Sequence, residues 1–258
     1  YIRYYYNRAG VLNRSAAQLA MSVFQRRLAS STYALMRSFE RRQEKLAGLI
    51  DDIRNGRLIE EQLIRQQRGL DKLNDVFETQ TADEETASED GGEQHEEFED
   101  KALGGTIELE VERRTVEALL NKTRDLFNTS EESKFEKLRE VLSDPQYLDE
   151  KFIIFTEHRD TAEFLVRRLE GLGFTGQVAL IHGGLPYQER ERQVEFFRRP
   201  AAEGGANYLV ATDAAGEGIN LQFCWLMVNY DIPWNPARLE QRMGRIHRYG
   251  QKHDPVVI

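Results

Sequence analysis

The chain is almost without cysteine: its 258 residues hold one, Cys224. No disulfide can close within it, so a reducing compartment is expected. Nowhere do eighteen apolar residues run together, and no signal-peptide core is visible, so neither a transmembrane helix nor a secreted protein is expected. The GxxxxGK[ST] phosphate loop is missing as well. The glycine pairs Gly104-Gly105, Gly183-Gly184 and Gly204-Gly205 are not followed by Lys-Ser/Thr. No apolar strand runs into an acidic metal box: Asp83-Glu84-Glu85-Thr86 has the composition of one but no strand before it. The acids around His95 have no fixed ligand spacing, so no metal site is expected. These absences exclude a self-contained nucleoside-triphosphate site and a disulfide scaffold.

What is present is unevenly distributed. Hydrophobic residues make up 40% of the chain and charged residues 31%, enough apolar content for a real core. The formal charge of −9 is concentrated in residues 78–100, which hold eleven Asp and Glu and no Lys or Arg; without them the chain is at +2. Residues 1–72 carry fourteen Lys and Arg against seven Asp and Glu. Three regions follow: a basic helical region at 1–77, an acidic flexible linker at 78–105, and an α/β lobe at 106–258. The linker is too poor in large apolar side chains to offset the entropy of ordering. The start at Tyr1 and the end inside an apolar run both read as cuts in a longer protein.

In the first region Leu19, Val23, Phe24, Leu28, Leu35, Phe39, Leu46, Leu49 and Ile53 recur at helical spacing, and Asn55-Gly56 ends the pattern. A second amphipathic segment passes through Leu63, Leu70, Leu73 and Phe77, which makes a helical hairpin. Its arginines, Arg26, Arg27, Arg37, Arg41 and Arg42, are either candidates for phosphate contact or ordinary solvated helix faces. Beyond the linker, helices are expected between about Glu110 and Phe127 and from Ser133 to Leu142.

From Lys151 the rhythm changes. Lys151–Thr156 is a near-continuous apolar strand, as expected where both faces of a parallel sheet are covered. A helix at Thr161–Leu172, a strand at Val178–His182 and a helix at Pro186–Phe197 follow. Strands through Tyr208–Ala211 and Phe223–Val228, the second holding Cys224, come next, and Val256–Ile258 begins another. The expected fold class is α/β, a parallel sheet with helices on both faces, preceded by an α-helical hairpin or bundle.

The segment that organises the chain is Asn207–Gln251. Here strand, glycine turn, strand and an arginine-bearing helix succeed one another. Asn235 suits the N-cap and Pro236 the first helical position. Leu239, Met243 and Ile246 form an apolar stripe, and Gln241, Arg245 and Arg248 form a second stripe on roughly the opposite face.

Residues 210–222, VATDAAGEGINLQ, resemble motif V of superfamily 2 helicases, and residues 241–251, QRMGRIHRYGQ, resemble motif VI. The ending His247–Gln251 behind Trp234-Asn235-Pro236 is similar to the form found in SWI/SNF-type ATPases. Gln25–Arg42 resembles a segment of the bacterial members, whose helical insertions lie between two motor lobes. Asp213-Ala-Ala-Gly-Glu217 departs from the commoner eukaryotic wording. The resemblance covers the C-terminal half most strongly and implies that this half is the second RecA-like lobe of an ATP-driven motor.

The roles that the resemblance implies are these. Arg245 and Arg248 are arginine fingers for the γ-phosphate, and Gln241 aligns them. Gly218 and Asn220 approach the ATP ribose, and Asp213 belongs to the ATP side while coupling it to the DNA side. Thr212 meets a nucleic-acid phosphate, with Thr156, His158 and Gly183 as further DNA contacts. His182 and His247 are structural, and Trp234 packs beneath the motif VI helix. ATP and Mg²⁺ are bound mainly by the absent first lobe, so residues 1–258 alone are expected to be inactive. The expected partners are double-stranded DNA, the N-terminal RecA-like lobe of the same protein and a further protein, with no membrane. The expected place is the bacterial cytoplasm and nucleoid, or another intracellular compartment. Two alternatives stay open: a non-catalytic binding module of the same fold, and a lobe of a strand-separating helicase.

Overall fold

A computed structural model describes residues 24–55, 99–129, 132–213, 221–233, 235–246 and, as backbone, 256–257. Predicted features at 56–98, including the second limb of the hairpin and nearly all of the linker, lie outside the described residues. The chain divides into two compact units. One comprises residues 35–128 with the N-terminal segment up to Arg26; the other comprises Arg27–Ala34 and Thr129–Ile258.

The helical unit is built on α1 (Thr32–Arg54, whose first residues belong to the other unit) and α2 (Glu99–Thr129). Its core is Phe39, Leu46, Leu49 and Ile50 of α1 with Val116 and Leu120 of α2. Arg124 pairs with Glu40 at 2.8 Å, Arg42 with Glu112 at 2.7 Å, and Arg54 with Glu110. Partner numbers fall along α2 as they rise along α1, so the helices run antiparallel. Helix α2 begins at Glu99, inside the stretch read as linker, and its residues up to 128 belong with the helical unit. The boundary expected at 106 is corrected accordingly. Short-range composition could not place it, because what holds α2 is the packing and charge pairing offered by α1.

The second unit is a five-stranded, wholly parallel sheet in the order β2-β3-β1-β4-β5. The strands are β1 (Phe152–Thr156), β2 (Val178–Ile181), β3 (Tyr208–Thr212), β4 (Leu226–Asn229) and β5 (Val256–Val257). The helices are α3 (Ser133–Leu142), α4 (Arg159–Leu169), α5 (Tyr187–Arg198) and α6 (Pro236–Ile246). All five residues of both β1 and β3 are buried, as the apolar runs require.

Side chains alternate across a sheet. Ile153, Phe155, Ala179, Ile181, Leu209, Ala211 and Met227 therefore share one face, where they pack with Val194 and Phe197 of α5 and Ile246 of α6. On the other face Phe152 stacks on Tyr208, and α4 packs against β1, β2 and β3. Phe164 of α4 meets Phe135 of α3 edge to face. This is the expected RecA-like architecture, a parallel sheet covered on both sides. Cys224 is buried as expected but precedes β4; burial pushes its thiol up to about 12.

Candidate functional site

In an open parallel sheet, ligands are met beyond the carboxyl ends of the strands. Thr156 and Thr212 are register partners at the ends of β1 and β3, and Asp213 follows β3. Asn229 ends β4, with Asp231 just beyond. His182 and Gly183 follow β2, and His158 N-caps α4.

Helix α6 brings the arginines to this edge. Asn235 accepts a hydrogen bond from Ala237 N at 3.0 Å, capping the helix with Pro236 in its first position. The residues it buries are Arg242 and Ile246, with Leu239 half-buried and Met243 exposed. The expected stripe of Leu239, Met243 and Ile246 is thus corrected: Arg242 takes the inward position.

Four acceptors explain why a guanidinium can be buried there. Arg242 donates from Nε to Asp213 Oδ1 at 2.5 Å and from Nη2 to Oδ2 at 2.8 Å. Its Nη1 donates to Asn229 Oδ1 at 3.0 Å and to the Asp231 carbonyl at 2.7 Å. The face of the cation lies 5.2 Å from the Phe155 ring centroid. Such a planar, bidentate grip is one that lysine cannot reproduce. Sequence reasoning left Arg242 without a role. The i, i+3, i+7 spacing of Leu239, Arg242 and Ile246 carried the signal, but a charged residue at an apolar position reads as an interruption.

Arg245 and Gln241 occupy the outer side. Together with Phe155, Asp213, Arg238 and Arg242 they line a shallow cleft at the end of β1 and β3. Gln241 is exposed and Arg245 half-buried. Arg242 is committed to Asp213 and neutralised by it, so Arg238 and Arg245 give the cleft its net positive charge, which suits an anion such as a phosphate. Asp213 is a different case from the one expected. Both its oxygens are taken by Arg242, so it stands as a brace rather than as a direct ATP ligand.

The DNA candidates also separate. Gly183 is exposed, and its carbonyl accepts from Arg190 at 2.9 Å. His158 is half-buried. Thr212 is 5% exposed and Thr156 is fully buried. Thr156 donates its hydroxyl to Asp231 Oδ2 at 2.5 Å, so it is corrected from a surface DNA contact to a support for that carboxylate. His182 is buried, and its Nδ1 accepts from Gly184 N at 3.1 Å, a structural use of the ring. Burial lowers its pKa, and the Arg159 charge lowers it further. Arg248, Gly218, Asn220, Trp234 and His247 lie outside the described residues.

Sequence reasoning also passed over Asp231. Burial alone would raise its pKa, but the Lys134 ammonium and hydrogen bonds from Lys134, Ser30 and Thr156 outweigh this and hold the carboxyl below its ordinary value. Among the described residues no cluster of three or more His, Cys, Asp or Glu is placed to hold a metal. No described helix is long and apolar enough to cross a membrane.

Comparison with known proteins bears on this edge directly, because the matched stretch contains all of it. Residues 133–250 match the helicase conserved C-terminal domain. This part of the chain is similar to the C-terminal lobe of helicases. The chain is 39% identical over 144 residues to the uncharacterized ATP-dependent helicase YqhH of Bacillus subtilis, covering 56% of this chain and 24% of that protein. It is 40% identical over 121 residues to the ATP-dependent RNA helicase DBP8 of Debaryomyces hansenii, covering 47% and 26%. With the RNA polymerase-associated protein RapA of Sodalis glossinidius it shares 39% identity over 108 residues, covering 41% and 10%. The chain thus spans about a quarter or less of the length of these relatives. Arg242 and Arg245 fall within the matched domain, so the brace and the cationic cleft are parts of one unit.

Proposed function

We propose that this lobe is the second motor lobe of an ATP-driven translocase on double-stranded DNA, of the SWI/SNF type. The observation that carries the reading is the cleft in which Arg245 and Gln241 stand beside the Arg242–Asp213 brace at the strand ends. Such a lobe supplies half an ATP site. Arg245 and Arg248 neutralise charge on the transferred phosphoryl group, and their permanent, planar charge suits that task. Gln241 aligns them, and Gly218 and Asn220 meet the ribose. Asp213 transmits between the faces through Arg242. Thr212, His158 and Gly183 track a DNA strand. The phosphate loop and the Mg²⁺ ligands come from an N-terminal RecA-like lobe, with the helical unit as an insertion between the lobes. Similarity to RapA, named for its association with RNA polymerase, supports a protein partner.

The likeness to DBP8 favours a second reading, a motor on RNA. The protein extended upstream should be assayed for ATP hydrolysis with duplex DNA, single-stranded DNA and single-stranded RNA. Stimulation by duplex DNA, with none by residues 1–258 alone, is the expected result. Stimulation by RNA but not by duplex DNA would establish the second reading instead. Duplex binding by the chain should weaken steeply with salt, since its contacts are to phosphates, and tighten when the acidic residues 78–100, which compete for the same basic surfaces, are removed.

A further inference from the structure

The lobe incorporates a strap, Arg27–Ala34, from more than ninety residues upstream of its other residues. The strap is held by polar contacts, of which those to Asp160, Thr161 and the Asp231 side chain are buried. Arg27 Nη1 donates to Asp160 Oδ2 at 3.1 Å. The hydroxyls of Ser30 and Ser31 lie 2.7 and 2.9 Å from Thr161 Oγ1. Thr32 N donates to Glu132 at 2.6 Å, and Tyr33 stacks on Phe164 at 6.0 Å. Most of this could be ordinary docking. Asp231 is the exception, because it faces two ways.

The side chain of Asp231 reads the strap. Ser30 Oγ donates to Oδ2 at 2.6 Å, and Lys134 Nζ donates to Oδ1 at 2.6 Å. The same ammonium donates to the carbonyls of Ala29 and Ser30 at 3.1 and 3.2 Å, so it grips the strap and the carboxylate together. The main-chain carbonyl of Asp231 accepts from Arg242 at 2.7 Å. One residue therefore joins the strap to the guanidinium at the centre of α6, one turn before Arg245. A buried charged network of this kind has few alternative arrangements, so moving one member displaces the next.

We propose that Asp231 is a positioning residue: by clamping Ser30 and Lys134 with its side chain and Arg242 with its carbonyl, it makes the seat of α6 depend on the docked strap. Its consequence for turnover rests on the function proposed above; its consequence for α6 does not. Strap and finger helix are one mechanical element, and release of the strap loosens α6 through Arg242 without direct contact with Gln241 or Arg245.

Two measurements test this and fail separately. Hydrogen exchange of residues 236–246 should be followed in the 258-residue chain for wild type, Ser30→Ala, Asp231→Asn and Val194→Ala. The last is a core variant on α5, outside the network, that reports general loosening. Ser30→Ala and Asp231→Asn should speed exchange in α6 by roughly tenfold relative to the rest of the sheet, whereas Val194→Ala should act evenly. In the protein extended upstream, Ser30→Ala should lower kcat for ATP roughly five- to tenfold with KM for ATP unchanged, as expected for a lost positioning effect. That effect should largely vanish in an Arg242→Lys background, where the strap has no fork to act through. Ser30→Thr, which keeps the hydroxyl, should restore both readouts. Faster exchange in α6 without any ATPase in the wild type would sink the motor reading and leave the positioning role standing. Unchanged exchange in α6 for Ser30→Ala and Asp231→Asn would overturn the proposal, whatever the ATPase does.

Discussion

The helical unit and the α/β lobe differ in how deeply their central arginines are held. In the helical unit, apart from the largely buried Arg42–Glu112 pair, the arginines of the ion pairs sit at the surface: Arg124 and Arg37 flank Glu40 with 47% and 42% of their side chains exposed. In the lobe, the Arg242 side chain is 2% exposed against Asp213, and Arg27 is 5% exposed against Asp160. Exposed pairs are screened and give up side-chain entropy, so they contribute little. Buried pairs cost desolvation, and each member is costly to lose singly. The lesson is that the lobe's buried charges specify geometry at the strand ends, whereas the helical unit's charges cover a core already secured by Leu46, Val116 and Leu120.

Within the lobe the contrast narrows to two arginines three residues apart. Arg245 faces the cleft and Arg242 faces the sheet. On the proposed function, Arg245→Ala in the upstream-extended protein should lower ATP hydrolysis on the order of 10³-fold while the lobe melts as wild type. Arg245→Lys should not restore the rate. Near-normal hydrolysis by a folded Arg245→Ala protein would remove the finger assignment and favour a binding module. Arg242→Ala should do the reverse first, destabilising the lobe by about 3–5 kcal/mol through the uncompensated Asp213 carboxylate. Denaturant melting checks it, and a loss below about 1 kcal/mol would mean that the brace is ornamental.

A third test uses acid. Asp231 is held below its ordinary value of 3.8 in the folded lobe. Its stabilising contribution is therefore complete above the unfolded value and is lost as pH falls through the folded one. Stability followed from neutrality to about pH 2 should fall less steeply for Asp231→Asn than for wild type, because the variant has lost that contribution already. Parallel curves below about pH 4 would show that this carboxyl titrates alike in the folded and unfolded chains, so that the fold does not hold it below its ordinary value. The smallest effect belongs to the helical unit. Arg124→Ala should cost less than about 1 kcal/mol, and less still at high salt. A larger, salt-independent loss would erase the contrast between the units.

Much of the lobe was legible before any coordinates. Phe152–Thr156 and Tyr208–Thr212 are unbroken apolar runs, and a strand buried on both faces has little else it can be. Asn235-Pro236 marked the start of α6, because a side-chain acceptor and a fixed φ favour that end of a helix. Gln241 and Arg245 were found from their spacing on one helical face, and they do line one cleft. The losses share one cause. Thr156 and Asp213 took their expected roles from the motif resemblance and Arg242 had none, but a polar group at a strand end can serve a ligand or a neighbour equally well. Met243 was placed inward by hydrophobicity, whereas Arg242 is inward because Asp213, Asn229 and Asp231 converge on it from distant parts of the chain.

The sequence by itself determined the alternation of strands and helices, the apolar faces that make the sheet a buried layer, and the helix that carries the arginines. These depend on periodicity and capping, which act within a few residues. Only the tertiary structure decided which polar groups would satisfy one another. It set Arg27–Ala34 into the lobe, gave Asp231 to Ser30 and Lys134, and turned Arg242 inward and Arg245 toward the cleft. Those choices follow from desolvation, because a buried charge must find its partners wherever the fold brings them, and nothing local in the sequence says where that will be.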